Sequence, residues 1–349
     1  MRKPLPQEDL DLVVDRTTEV WSTFDRARLF ITGGTGFIGS WLLEVVQHAN
    51  SVHGSRIEIV ALSRDPQRAR EQAPHLFNAP GVNLIKGDVL DFDEADVGAF
   101  DLCIHAATDV ADPTKTGDAL RAFDTGVLGT RKVLDCAQAN QASHFLLTSS
   151  GAVYGAQPAT LARTPETFAG APDPLDVNTA YGQSKRAAEW LASAYAQHGD
   201  LNVSIARIYA LLGPAIPLDG PFAAGNFIRD ALAGRQIAIK GDGRPLRSYL
   251  YMADACVWLL RMLLSGGRGQ AYNVGSEREI SIIDLARAVE RLCGSTAVAV
   301  PAAPAQAGPA PRYVPDTAKA REALNVDEYT PLELALSKTI NWNRSAVTA

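Results

Sequence analysis

Residues 28–40 read RLFITGGTGFIGS, and the character of the chain changes twice within them. Leu29–Thr32 is an apolar, β-branched run of strand type; Gly33, Gly34, Gly36 and Gly39 follow at once; and from Ser40 to Ala49 the sequence takes on helical patterning. Strand, glycine turn and helix in direct succession are the context in which a glycine pattern holds a dinucleotide. The glycines let the turn close tightly and the backbone approach a pyrophosphate, whose charge meets the unpaired N–H groups at the helix N-terminus. Gly33, Gly36, Phe37, Ile38 and Gly39 are therefore expected to touch a cofactor.

Outward from this stretch the same alternation continues. Ile57–Leu62, Val82–Ile85, Leu102–His105, Phe145–Ser149 and Val203–Arg207 read as further strands, and Ala119–Ala139 and Ala180–His198 as helices between them. Strands separated by helices give a parallel sheet covered on both faces, so the fold class is α/β, a Rossmann-type doubly wound sheet. Residues 28–210 are assigned to this NAD(P)-binding domain. From residue 211 the texture shifts to Gly- and Pro-punctuated loops with short helices at Asn226–Ala233 and Ile282–Leu292, a strand at Gln236–Ile239 and a Pro/Ala-rich loop at Val300–Pro311. Residues 211–349 are read as a smaller, partly interleaved substrate-binding lobe. Leu10, Val13, Val14 and Trp21 predict an extra amphipathic helix within an extension over residues 1–27.

Composition narrows the function. The chain has 349 residues, 46% of them hydrophobic, enough for a large core, and its net charge of −6 argues against general nucleic-acid affinity. Four scattered cysteines, Cys103, Cys136, Cys256 and Cys293, show no metal-ligand spacing, so no metal is expected and the thiols read as reduced core residues of a cytoplasmic protein. The acidic N-terminal stretch, with Glu8, Asp9, Asp11 and Asp15, is expected to be neither a signal peptide nor a membrane span.

Chemistry enters with Tyr181 and Lys185 in AYGQSKRAAEW. At positions i and i+4 of a helix the ammonium stands beside the phenol and favours its ionised form, which makes a proton shuttle next to a bound nicotinamide. The second strand ends in ALSRDP, placing Ser63 and Arg64 where an acid commonly meets the ribose hydroxyls. A guanidinium there suits a 2′-phosphate, so the cofactor reading is NAD(P), leaning to NADP, with Asp65 as the alternative ribose contact. Asp88 and Val89, after the third strand, are placed beside the adenine, and His105, Ala106 and Ala107, which end the fourth, beside the nicotinamide ribose.

The ordered set TGGTGFIG, GDV, HAA, TSSGAVYG, YxxxK, GDGRPLRSYLYMAD and YNVGS resembles the extended short-chain dehydrogenase/reductase family, in its nucleotide-sugar epimerase/dehydratase branch, from about Arg28 to Trp342. The resemblance implies that Tyr181 is the acid/base at a sugar hydroxyl, that Lys185 holds the nicotinamide ribose and lowers the tyrosine pKa, and that Ser150 hydrogen-bonds the same hydroxyl. It implies that Arg247 and Arg312 bind the diphosphate of a nucleotide-diphosphate sugar, with Asn226 as a further donor, and it implies a homodimer. The 4,6-dehydratases of the family carry an Asp-Glu pair after the hydroxyl residue, and the uronate decarboxylases a nearby Glu; here Gly151 and Ala152 stand there. Further departures are Gly126 and Ala210, where asparagines are common. The expected activity is hydride transfer at sugar carbon 4, as a 4-epimerase or 4-ketoreductase. The alternatives are a dehydratase or decarboxylase with displaced acid/base groups and a non-catalytic NADP-sensing member.

Overall fold

The computed structural model describes residues 1–108, 116–294, 297–300 and 308–347. Seven strands form the central sheet: β1 Arg28–Thr32, β2 Glu58–Ser63, β3 Val82–Lys86, β4 Leu102–His105, β5 His144–Ser150, β6 Asn202–Ile208 and β7 Gln270–Val274. Their spatial order is β7-β6-β5-β4-β1-β2-β3 and every pairing is parallel. This is the doubly wound Rossmann arrangement. Alternation along β1 sends Leu29 and Ile31 into the core on one face and Phe30 into the core on the other, which is why the strand carries no polar face. The order reverses between β1 and β4, and there a crevice opens beyond the carboxyl ends of the strands, where α/β sheets bind ligands.

The helix after the glycine turn runs Phe37–His53, longer than its apolar pattern suggested, and the helix carrying the Tyr–Lys pair runs Ala180–His198. The stretch expected as one helix over Ala119–Ala139 is interrupted by a π-helical turn, Thr125–Gly129, between α-helices Thr116–Asp124 and Thr130–Ala139. A Cβ at Gly126 would lie 2.5 Å from Ser184 Oγ, so glycine lets this turn press against the Tyr–Lys helix.

The smaller lobe is built on a three-stranded patch in which Leu246–Arg247 pairs antiparallel with Ile280–Ser281 and parallel with Arg312–Tyr313. The expected strand at Gln236–Ile239 is reduced to Ile237–Ala238, and helix Ile282–Cys293 follows its reading closely. Of the loop expected at Val300–Pro311, residues 301–307 lie outside the described residues. The N-terminal extension forms two helices, Gln7–Arg16 and Thr18–Thr23, with Val13, Val14 and Trp21 buried. Asp9, also buried, accepts from the Tyr251 hydroxyl at 2.6 Å and pairs with Lys338 at 2.8 Å, so the extension is fastened to both neighbouring segments.

Candidate active site

A cavity of about 800 Å³ lies over the carboxyl ends of the strands and reaches into the smaller lobe. Its nucleotide half is walled by Gly33, Gly36, Phe37, Ile38, Gly39, Ser63, Arg64, Asp88, Val89, Ala106 and Ala107. Gly33 has φ +71°, and a Cβ there would sit 2.5 Å from the backbone of Ala106; one at Gly39 would sit 2.3 Å from the Gly33 carbonyl. Neither position has room for a side chain, and the turn is thereby drawn down onto β4. Helix Phe37–His53 begins at Gly36 with no side-chain cap, leaving its first N–H groups directed at the crevice. The donor set and the cleared backbone fit a dinucleotide pyrophosphate. Asp65 is committed elsewhere: its carboxylate accepts from the Arg68 N–H at 3.0 Å and caps helix Pro66–Gln72, leaving Ser63 and Arg64 at the cavity wall.

His105 does not line the cavity. Its ring is buried, with Nδ1 2.6 Å from Thr32 Oγ1 and Nε2 3.0 Å from Thr130 Oγ1, and desolvation pushes its pKa down to about 3. It is a neutral tie between β1, β4 and the end of the π turn, while Ala106 and Ala107 form the wall. Sequence gave no sign of the two threonines that satisfy it.

Ser150, Tyr181 and Lys185 converge on one end of the cavity. Ser150 is the last residue of β5, and its Oγ accepts from the Ala152 N–H at 3.2 Å. Lys185 is buried and donates to the Thr148 carbonyl at 2.8 Å; its Nζ lies 5.8 Å from the centre of the Tyr181 ring. Desolvation pushes the Lys185 pKa down to about 8, with the Glu189 carboxylate one turn along opposing the fall. Glu189 is itself held by Arg207 at 2.7 Å and by the Ser149 hydroxyl at 2.5 Å. The Tyr181 phenol is pushed up by burial and drawn partly back by a hydrogen bond with Ser150. The lowering expected of Lys185 is thus outweighed, because removing a phenolate from water costs more than this neighbour returns.

Arg247 lines the substrate half, together with Ala210, Phe222, Tyr249 and two residues the sequence reading passed over, Tyr209 and Tyr313. Arg312 does not line it. Arg312 pairs with Leu246, and Tyr313 with Arg247; neighbouring residues of a strand face opposite ways, so with Tyr313 turned to the cavity Arg312 faces Glu279, at 3.3 Å. Asn226 also lies off the wall. Its helix starts at Ala223, so Asn226 sits inside the first turn, donating to the Gly220 carbonyl at 3.1 Å and accepting from Arg229 at 3.2 Å. Tyr313 could have been found from its place one residue after Arg312, had the strand parity been known.

Gly151 and Ala152 form the first part of a short 3₁₀ turn, Gly151–Tyr154. A Cβ at Gly151 would lie 2.7 Å from Tyr209 Cζ and 2.7 Å from Tyr313 Oη. Among the described residues lining the cavity, Asp88 at the nucleotide end is the sole carboxylate. Among the described residues, no group of His, Cys, Asp and Glu side chains could hold a metal ion, and no helix is long and apolar enough to cross a membrane.

Fold and site together define a Rossmann-type scaffold with Ser150, Tyr181 and Lys185 gathered at one end of its crevice. A model of the NAD dependent epimerase/dehydratase family matches residues 29–275, and the chain belongs to this family. The UDP-glucuronic acid decarboxylase 1 of Xenopus tropicalis is 29% identical over 320 residues, 92% of this chain and 73% of its own length. The dTDP-glucose 4,6-dehydratase of Streptomyces niveus is 26% identical over 327 residues, covering 91% of this chain and 93% of the relative. MoeE5, solved in complex with UDP-glucuronic acid and NAD, matches with a TM-score of 0.74 at 26% identity, over 91% of this chain and 99% of that one.

Proposed function

We propose that this protein oxidises or reduces a nucleotide-diphosphate sugar at carbon 4, as a 4-epimerase or 4-ketoreductase using NAD(P). One observation carries the reading: Ser150, Tyr181 and Lys185 meet at a cavity end where the described lining residues include no carboxylate. Eliminating water across carbons 5 and 6 needs an acid and a base beside the ring, and a displaced pair would have to line this end. Hydride transfer at one carbon needs only a positioned hydroxyl acid/base.

Bound nicotinamide would supply the hydride acceptor or donor. Tyr181 exchanges the proton of the reacting oxygen, Ser150 hydrogen-bonds that oxygen, and Lys185 holds the ribose and stabilises the phenolate when it forms. Gly33, Gly36 and Gly39 receive the pyrophosphate. Arg64 reads a 2′-phosphate, which favours NADP, supported by the engagement of Asp65 in a helix cap. Arg247 holds the substrate diphosphate through charge-assisted bonds. The shared helices Thr130–Ala139 and Ala180–His198, flanked by the exposed side chains of Leu120, Leu128 and Trp190, form the homodimer face, and light scattering reads the resulting mass.

The test is product analysis by NMR after incubation with UDP-glucose, UDP-glucuronic acid and dTDP-glucose. Change confined to carbon 4 is expected, with no solvent deuterium entering at carbon 5. Stoichiometric 4-keto-6-deoxy sugar or a pentose product overturns the reading. Cofactor that stays bound through purification favours the epimerase, and an empty site that consumes added NADPH favours the ketoreductase.

A further inference from the structure

Tyr313 joins the two ends of the substrate half. It is paired in register with Arg247, whose guanidinium carbon lies 5.8 Å from the centre of its ring. The ring stacks on Tyr209, centroids 4.4 Å apart at 34°, and its hydroxyl reaches to 3.5 Å from Ser150 Oγ. Burial pushes its phenol up, so Tyr313 keeps its proton at neutral pH and has one to donate.

The Ser150 hydroxyl has two acceptor lone pairs and one proton. The Ala152 N–H, at 3.2 Å, takes one lone pair. The contact with Tyr313, at 3.5 Å, can run in either direction; if Tyr313 donates, it takes the other lone pair, and the serine proton is then left to point into the cavity, towards the substrate oxygen beside Tyr181. With that bond absent the hydroxyl rotor is freed. The same two tyrosines also occupy the space over Gly151, since a Cβ there would lie at 2.7 Å from each. A carboxylate at position 151 has no room while both rings are in place.

We propose that Tyr313 is a positioning residue for the reaction at carbon 4: its hydroxyl fixes Ser150 as a hydrogen-bond donor, and its ring, stacked with Tyr209, closes the space above Gly151 that an acid at that position would occupy. This rests on the functional reading above.

The experiment is a double-mutant cycle on the enzyme with NAD(P), run with whichever of UDP-glucose, UDP-glucuronic acid and dTDP-glucose the wild type converts. Tyr313→Phe keeps the ring and removes the hydroxyl; it is expected to lower kcat by about 2–13-fold, the range of one lost hydrogen bond, with KM within about twofold of wild type. In the Ser150→Ala background the same change should have an effect within about twofold. A Tyr313→Phe enzyme with wild-type kcat, or one whose loss is as large without Ser150 as with it, overturns the positioning role.

A second arm reads the packing without turnover. Gly151→Ala should lower Tm by about 3–10 °C, and the drop should shrink by at least half in a Tyr209→Leu/Tyr313→Phe background. An equal drop in both backgrounds overturns the claim that the tyrosines close this space. A wild-type protein inert towards all nucleotide sugars sinks the functional reading and the positioning role together, whereas an active wild type with an uncoupled Tyr313 sinks the positioning role alone.

Discussion

Lys185→Met should make the cofactor-free protein more stable while abolishing its use. The ammonium is buried, and desolvation lowers its pKa from an ordinary 10.5 to about 8, a change worth about 3 kcal/mol against the folded state wherever both states are protonated. Methionine fills a similar volume without charge but forfeits the bond to the Thr148 carbonyl, 2.8 Å away, which costs about 1–2 kcal/mol. A net gain of about 1–2 kcal/mol at pH 7 follows. Between about pH 8 and 10.5 the unfolded chain still holds a proton that the folded chain has released, so wild-type stability rises with pH there and the advantage of the variant fades. Urea denaturation of both proteins, stripped of nucleotide, at pH 7 and pH 10 measures this. A variant less stable than wild type at pH 7, or a gain that does not shrink at pH 10, would show that the buried ammonium carries no such penalty. Dinucleotide affinity and turnover should fall together in the variant, since the lost group is the one assigned to the ribose.

Tyr181→Phe should retain the fold and cofactor binding and lower turnover by about a hundredfold or more, the scale of a lost general acid/base, read by steady-state kinetics. Wild-type turnover would remove Tyr181 from the mechanism. Arg64→Asp should weaken NADP by about 2 kcal/mol or more and leave NAD nearly unchanged, read by calorimetric titration of both; equal losses would show that Arg64 does not select. Gly33→Ala combines a φ of +71° with a Cβ 2.5 Å from Ala106, so it should destabilise the chain by about 2–5 kcal/mol in denaturant titration.

What the sequence made legible was local. The glycine turn is readable because φ at Gly33 and the close approach at Gly39 are settled within a dozen residues, and the Tyr181–Lys185 pair because i and i+4 share a helix face. What it misplaced depended on distant partners. Arg312 and Tyr313 trade roles because their parity is fixed by pairing with Leu246 and Arg247 across the lobe. His105, a plausible ligand neighbour by position, is consumed by threonines from β1 and from the helix after the π turn. Asn226 reads as the start of the NFIRDAL helix and a phosphate donor, yet the helix starts three residues earlier and Phe222 holds the cap position without a capping bond.

The family resemblance and the missing carboxylates are reconciled by where each kind of chemistry resides. The residues proposed for hydride transfer sit on β5 and the Ala180–His198 helix, elements that also build the core and fall within the family match over residues 29–275. The acids implied for a dehydratase or decarboxylase would fall in the four residues after Ser150, outside those elements. Here that turn begins with glycine and alanine, and two tyrosines contributed by the end of β6 and by the smaller lobe stand over it. Replacing Gly151 alone by an acid would therefore not install dehydratase chemistry, because the space above it is taken by rings anchored in other parts of the chain. On the proposed reading, an acid at position 151 is excluded by this tertiary contact as much as by the sequence of the turn itself.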